Sequence, residues 1–132
     1  ISPIIQYSMG KISILWMGDL ETSFMESIED ELELPVVSIL FAPHHGRDSG
    51  KIPESLLNDL KPKIVIIGEA PSKNLNYYKN YDTITQNSAG DIIFDCQKNK
   101  VHIYVSNENY SVDFLENEYM NEYNYYLGTL NL

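Results

Sequence analysis

Apolar positions fall in short runs along this chain, and the spacing of each run predicts an element. Ser2 to Tyr7 and Ile12 to Met17 are apolar, β-branched stretches separated by Ser8-Met9-Gly10-Lys11, the pattern of two strands joined by a tight turn. After Gly18-Asp19 the period lengthens. Leu20, Phe24, Ile28 and Leu32 recur every four residues, with Glu21, Glu26, Glu29, Asp30 and Glu31 between them, which predicts an amphipathic helix ended by Pro35. Glu21 in its first turn suits the positive end of the helix dipole, and Asp19 stands where a helix N-cap is expected.

Val36 to Phe41 is continuously apolar, as a strand covered on both faces requires. It runs into a polar loop, Ala42-Pro43-His44-His45-Gly46-Arg47-Asp48-Ser49-Gly50. Pro53 then suits a first helical position, Leu56, Leu57 and Leu60 form an apolar stripe, and Pro62 closes the helix. Ile64 to Gly68 is a second buried strand, so residues 36 to 68 read as a βαβ unit with parallel pairing. Glu69 to Asn80 reads as an irregular surface segment, and Tyr81 to Asn87 as a short helix. Asp91 to Cys96 and Val101 to Ser106 flank Gln97-Lys98-Asn99-Lys100 as a second hairpin. The tail from Asn107, with scattered Phe114, Leu115, Met120 and Leu127, is expected to dock as a helix. The division is thus 1–106 for the α/β unit and 107–132 for the tail.

Composition narrows the class. A chain of 132 residues that is 43% hydrophobic and 21% charged is one globular domain. Its longest apolar runs are far below the roughly 20 residues needed to cross a bilayer. The net charge of −10 repels phosphate backbones, which disfavours long nucleic acid as a partner. The lone Cys96 excludes an intrachain disulfide and thiolate-built structural zinc, and it fits a reducing compartment such as the cytoplasm.

Two motifs carry chemistry. Gly18-Asp19-Leu20-Glu21 and Pro43-His44-His45-Gly46 each follow an apolar strand, and ligands collect at the carboxyl ends of strands in layered α/β proteins. If the strands are neighbours, Asp19 and one of the two histidines converge on one rim and can hold a borderline ion such as zinc. Alone, Asp19 reads as a helix cap and a loop histidine as a solvated side chain. Two adjacent histidines between proline and glycine are poor packing elements, and only three histidines occur in the chain. His102, alternating with apolar residues, reads as a surface-facing structural histidine. Arg47 beside Asp48 reads as an exposed ion pair.

Ile14 to Glu21, followed by Ile39-Leu40-Phe41-Ala42-Pro43-His44-His45-Gly46 and by Leu60-Lys61-Pro62-Lys63-Ile64-Val65-Ile66-Ile67, resembles the metallo-β-lactamase-like hydrolases, in the branch typified by the hydrolase domain of the competence protein ComEC. The resemblance covers roughly residues 2 to 106. It implies an αββα sandwich of two similar halves with a dinuclear zinc site at one edge, of which this chain is the second half: a mixed sheet with helices mainly on one face. It further implies that Asp19 bridges the two metals and that His45 completes the shell of the second. Spacing does not settle which of His44 and His45 is the ligand, and His45 is preferred. His44 or Glu21 then faces substrate, with Ser49 near it, since Arg47 stands where the family usually has serine.

The family's His-x-His-x-Asp-His cluster is absent from these residues, as is its later Asn-x-Tyr-Gly-His-Pro loop, of which Asn76-Tyr77-Tyr78 is a faint echo. The expected function is hydrolysis of a small anionic or ester substrate, a phosphoester or phosphodiester first, through a metal-bound hydroxide. The alternative is a non-catalytic half-domain that serves as an interaction or structural module. In either case the face of the sheet away from the helices is expected to be exposed and apolar, and to be covered by a missing half or by self-association.

Overall fold

The structure is a computed structural model that describes residues 3–68 and 77–132. The opening hairpin is formed by β1 (Ile5–Met9) and β2 (Ile12–Trp16). Helix α1 (Thr22–Ile28) leads to β3 (Ile39–Phe41), and α2 (Glu54–Leu60) leads to β4 (Ile64–Ile67). Strand β5 (Asp82–Thr85), a single helical turn α3 (Gln86–Ala89), β6 (Ile92–Cys96), β7 (Lys100–Val105) and β8 (Tyr126–Asn131) complete the order. Strands β1 to β5 form one sheet in sequence order, antiparallel between β1 and β2 and parallel from β2 onward. Strands β6, β7 and β8 form a second, antiparallel sheet. The protein is therefore a mixed α/β fold with a mixed sheet and few helices. No helix among the described residues is long and apolar enough to cross a membrane.

Alternation along the strands divides the core in two. Leu15, Leu40 and Val65 face the helical layer and pack with Met25, Leu56, Leu57 and Leu60. Ile14, Ile39, Ile64 and Ile84 face the other way and meet Val101, Ile103 and Val105 of the second sheet. The βαβ unit expected over 36–68 is present, with Ile39 opposite Ile64 and Phe41 opposite Ile66 in parallel register.

Several elements differ from expectation. In α1, Met25 is the buried residue and Phe24 is 52% exposed, so the apolar face is rotated from the one the four-residue spacing suggested. The helix also stops at Ile28, well short of Pro35. Strand β3 begins at Ile39, because the Val37 N–H is taken by the Leu60 carbonyl at 2.9 Å while Val36 lies in solvent. The helix expected over 81–87 is β5 and one turn of α3: Thr83, Ile84 and Thr85 are β-branched or half-buried and pair with β4. Of the irregular segment expected over 69–80, residues 69–76 lie outside the described residues. Tyr78, beyond them, is fully buried in the helix-side core.

The tail carries no docked helix. Its last residues form β8, with Leu130 opposite Val101 and Gly128 opposite Ile103, so Leu115, Leu127 and Leu130 join the inter-sheet core. As a result the second face of the larger sheet is mostly covered by this chain's own β6–β8 rather than left bare, and only the part over β1 stays open. His102 is 5% exposed, not surface-facing, because β8 sets Thr129 beside it with Nδ1 to Oγ1 at 2.8 Å. Asp48 pairs with Lys51 at 2.9 Å.

Candidate functional site

In-register parallel pairing sets the floor of the site. Trp16 stands opposite Phe41, and Phe41 opposite Ile66, so three large side chains line up across the carboxyl ends of β2, β3 and β4. The indole of Trp16 stacks on Phe41 with centroids 5.0 Å apart. Just beyond this row the chain leaves β2 through Gly18-Asp19 and leaves β3 through Ala42-Pro43-His44-His45. The two exits are tied together by the His44 N–H, which donates to the Gly18 carbonyl at 2.9 Å.

The His-His loop is held in an unusual backbone state. His44 and His45 have φ of 54° and 57°, the left-handed region, which costs a residue with a side chain about 1–2 kcal/mol. Such conformations persist only where the surroundings over-determine them, and they cluster at functional sites. Here two glycines make room. A Cβ on Gly46 would lie 2.7 Å from Ile67 Cγ2, and one on Gly68 would lie 2.8 Å from His45 Nδ1. The loop therefore sits directly on the end of β4, and the imidazole of His45 fills the space that Gly68 leaves.

Asp19 and His45 line one cleft of about 250 Å³, together with Trp16, Phe41, Gly68 and Gln86. Both are exposed side chains at its rim. His44 is not among the cleft's lining residues; its Nδ1 lies 3.0 Å from Ser49 Oγ. Ser49 is in turn fixed from α1, since the Thr22 hydroxyl donates to the Ser49 carbonyl at 3.2 Å and to that of Lys51 at 2.7 Å. Glu21 is the N-cap residue of α1, with extended backbone and no side-chain capping bond, and is not among the residues lining the cleft. The cap position expected for Asp19 thus belongs to Glu21. Of the five residues singled out in the sequence, the structure brings Asp19 and His45 together in one cleft and pairs His44 with Ser49 beside it; Glu21 joins neither group.

Two contributors went unread in the sequence. Gln86 reaches the cleft because β5 places α3 at the same rim, and nothing in its neighbourhood marks it as special. Trp16 had a usable signal: the only tryptophan of the chain ends an apolar strand two residues before Gly-Asp.

A larger depression of about 740 Å³ lies at the β6–β7 turn, bounded by Asp95, Lys98, Lys100, His102 and Glu122. Two of its polar groups are engaged with the protein itself: Lys100 Nζ meets Glu118 at 2.9 Å and His102 meets Thr129. The smaller cleft is the better candidate because it lies at the carboxyl ends of the parallel strands, with a carboxylate and an imidazole from two neighbouring strand exits lining it.

Among the described residues, no group of three or more His, Cys, Asp or Glu side chains is placed to hold a metal ion. One carboxylate and one imidazole are nevertheless the donor types zinc accepts, and a catalytic zinc site uses three such protein ligands. Asp19 and His45 fit part of a zinc site and need at least one further donor. Comparison of the chain with family models, with curated proteins and with solved structures found no match in any of the three.

Proposed function

We propose that this chain carries part of the active site of a metal-dependent hydrolase, in which Asp19 and His45 hold zinc jointly with donors supplied from outside the described residues. The observation that carries the reading is their convergence, from two neighbouring parallel strands, on one cleft. Zinc bound there supplies Lewis acidity and lets water act as a nucleophile near neutral pH. The chain's own groups do the rest. Trp16 and Phe41 form an apolar wall against which the non-reacting part of a substrate rests, and the Gln86 amide offers both a donor and an acceptor to a polar group. The His44–Ser49 pair beside the cleft holds the loop that carries His45, so His44 is a positioning residue in this reading.

A cleft of about 250 Å³ suits a small ester or phosphoester better than a polymer. A net charge of −10 points the same way, because it opposes long nucleic acid while a single anionic group can be held by metal. A reducing, cytoplasmic setting suits a chain with one cysteine.

The test is zinc analysis and hydrolysis of bis(p-nitrophenyl) phosphate by the intact gene product and its Asp19→Ala variant. The variant is expected to lose at least 100-fold in turnover together with bound zinc, and to keep its melting temperature within a few degrees, because an exposed rim carboxylate contributes little to the core. Turnover and zinc content unchanged by Asp19→Ala would remove Asp19 from the site and with it this reading, and a parent protein with neither zinc nor turnover would leave the non-catalytic module in its place.

A further inference from the structure

The two sheets do not match in width. Five strands lie under three, and the uncovered part is β1. Register places Ile5, Tyr7 and Met9 opposite Trp16, Ile14 and Ile12, hence on the inter-sheet side. Yet Ile12 and Ile14 are 1% and 3% exposed, while Ile5, Tyr7 and Met9 are 55%, 42% and 38% exposed. Beside them runs an apolar groove of about 450 Å³ lined by Tyr7, Ile14, Trp16, Phe94 and Cys96.

The edges differ too. The outer edge of β8 is occupied at its middle by the chain itself, since Glu116 and Thr129 exchange both backbone hydrogen bonds, at 3.0 and 2.7 Å. Among the described residues no strand pairs with the outer edge of β6, the strand that borders the groove. An unpaired edge next to a bare apolar strip is the geometry that receives an added strand: its backbone groups give affinity and its strip selects alternate side chains.

Charge decides what kind of strand. Two copies of a chain carrying −10 repel each other, whereas a neutral or basic segment is drawn in. Position links the groove to the chemistry, because Trp16 lines both the groove and the Asp19–His45 cleft. A segment in the groove therefore ends beside the cleft in which the described residues offer two zinc donors, Asp19 and His45.

We propose that the open edge receives an extended, neutral-to-basic polypeptide segment that pairs with β6 as the fourth strand of the smaller sheet and lays alternate apolar side chains on Ile5, Tyr7 and Met9. The inference rests on the hydrolase reading only in assigning this segment to the polypeptide that completes the zinc site; the docking itself stands on the edge and the strip.

The probe is a capped eight-residue peptide alternating valine with threonine and carrying a lysine at each end. At saturation it is expected to slow amide exchange of residues 92–96 and alkylation of Cys96 at least 10-fold, and to change the emission of Trp16. The same peptide with terminal glutamates is expected to bind at least 10-fold more weakly. Tyr7→Asp should abolish the protection with the circular dichroism spectrum retained, and Ile5→Lys at the more exposed end serves if the first variant does not fold. Three results would overturn the proposal: no protection at millimolar peptide, protection confined to β5 or β8, or the same protection arising without peptide as the chain self-associates. Strand docking by a protein that takes up no zinc would instead sustain this site and sink the hydrolase reading.

Discussion

The two faces of the larger sheet are built by different means. The helix-side face is closed within residues 15–81, where Leu40 and Val65 are covered by α2 a short distance along the chain. The inter-sheet face is closed from far away: Ile39 and Ile64 wait for Val101, Ile103 and Leu130. Local closure leaves little to chance, whereas distant closure stops where the supply of strands stops. The open strip over β1 is the result.

Opposite single deletions would break this comparison most sharply. Leu40→Ala and Ile103→Ala each empty a fully buried position and are expected to cost about 2–5 kcal/mol in denaturant unfolding. If both faces belong to one cooperative unit, each variant unfolds in a single transition at a lower midpoint. Loss of only the β6–β8 signal in Ile103→Ala would show that the smaller sheet unfolds on its own.

A finer probe concerns how β8 is fastened. The Thr129 hydroxyl serves both His102 and Tyr126, and Thr129 is 1% exposed. Thr129→Val keeps the shape and leaves the buried imidazole without that partner, an expected loss of about 1–3 kcal/mol. A cost indistinguishable from zero in the same unfolding assay would mean that His102 finds another partner.

The smallest effect is a pH dependence at the same strand. Hydrogen bonds from Lys100 and Asn131 hold the Glu118 carboxyl below the usual carboxylate range. A carboxyl depressed in the folded state stabilises it above the unfolded value, about 4.3, and that contribution is lost as pH falls through the folded value. Acid unfolding followed from pH 5 downward should therefore be shallower in Lys100→Met than in the parent; identical curves would show that the pair contributes nothing.

What the residues revealed follows the same division. The βαβ unit was legible because Ile39 to Phe41, Leu56 to Leu60 and Ile64 to Ile67 each carry the pattern of the element they form, and their partners lie nearby. The rotated face of α1 was not legible, since Met25 and Phe24 are both apolar and only tertiary packing chose between them. Strand β8 was hidden because Tyr126 to Asn131 contains Gly128 and alternates weakly, so its identity depends on pairing with β7. At the site, Gly18-Asp19 and His44-His45 were visible as motifs. That His45 shares the cleft with Asp19 while His44 turns to Ser49 depends on two consecutive left-handed residues, which no residue spacing encodes.

The hydrogen bond from His44 N–H to the Gly18 carbonyl has a consequence for selectivity. It joins the two loops one residue away from Asp19 on one side and from His45 on the other, so the backbone positions from which the carboxylate and the imidazole project are set when the chain folds. If the proposed metal site exists, an ion that fits this spacing would cost little further backbone ordering, and one that demands a different spacing would have to strain both loops together. Discrimination among ions of similar charge would then arise from backbone stiffness as much as from the choice of donor atoms.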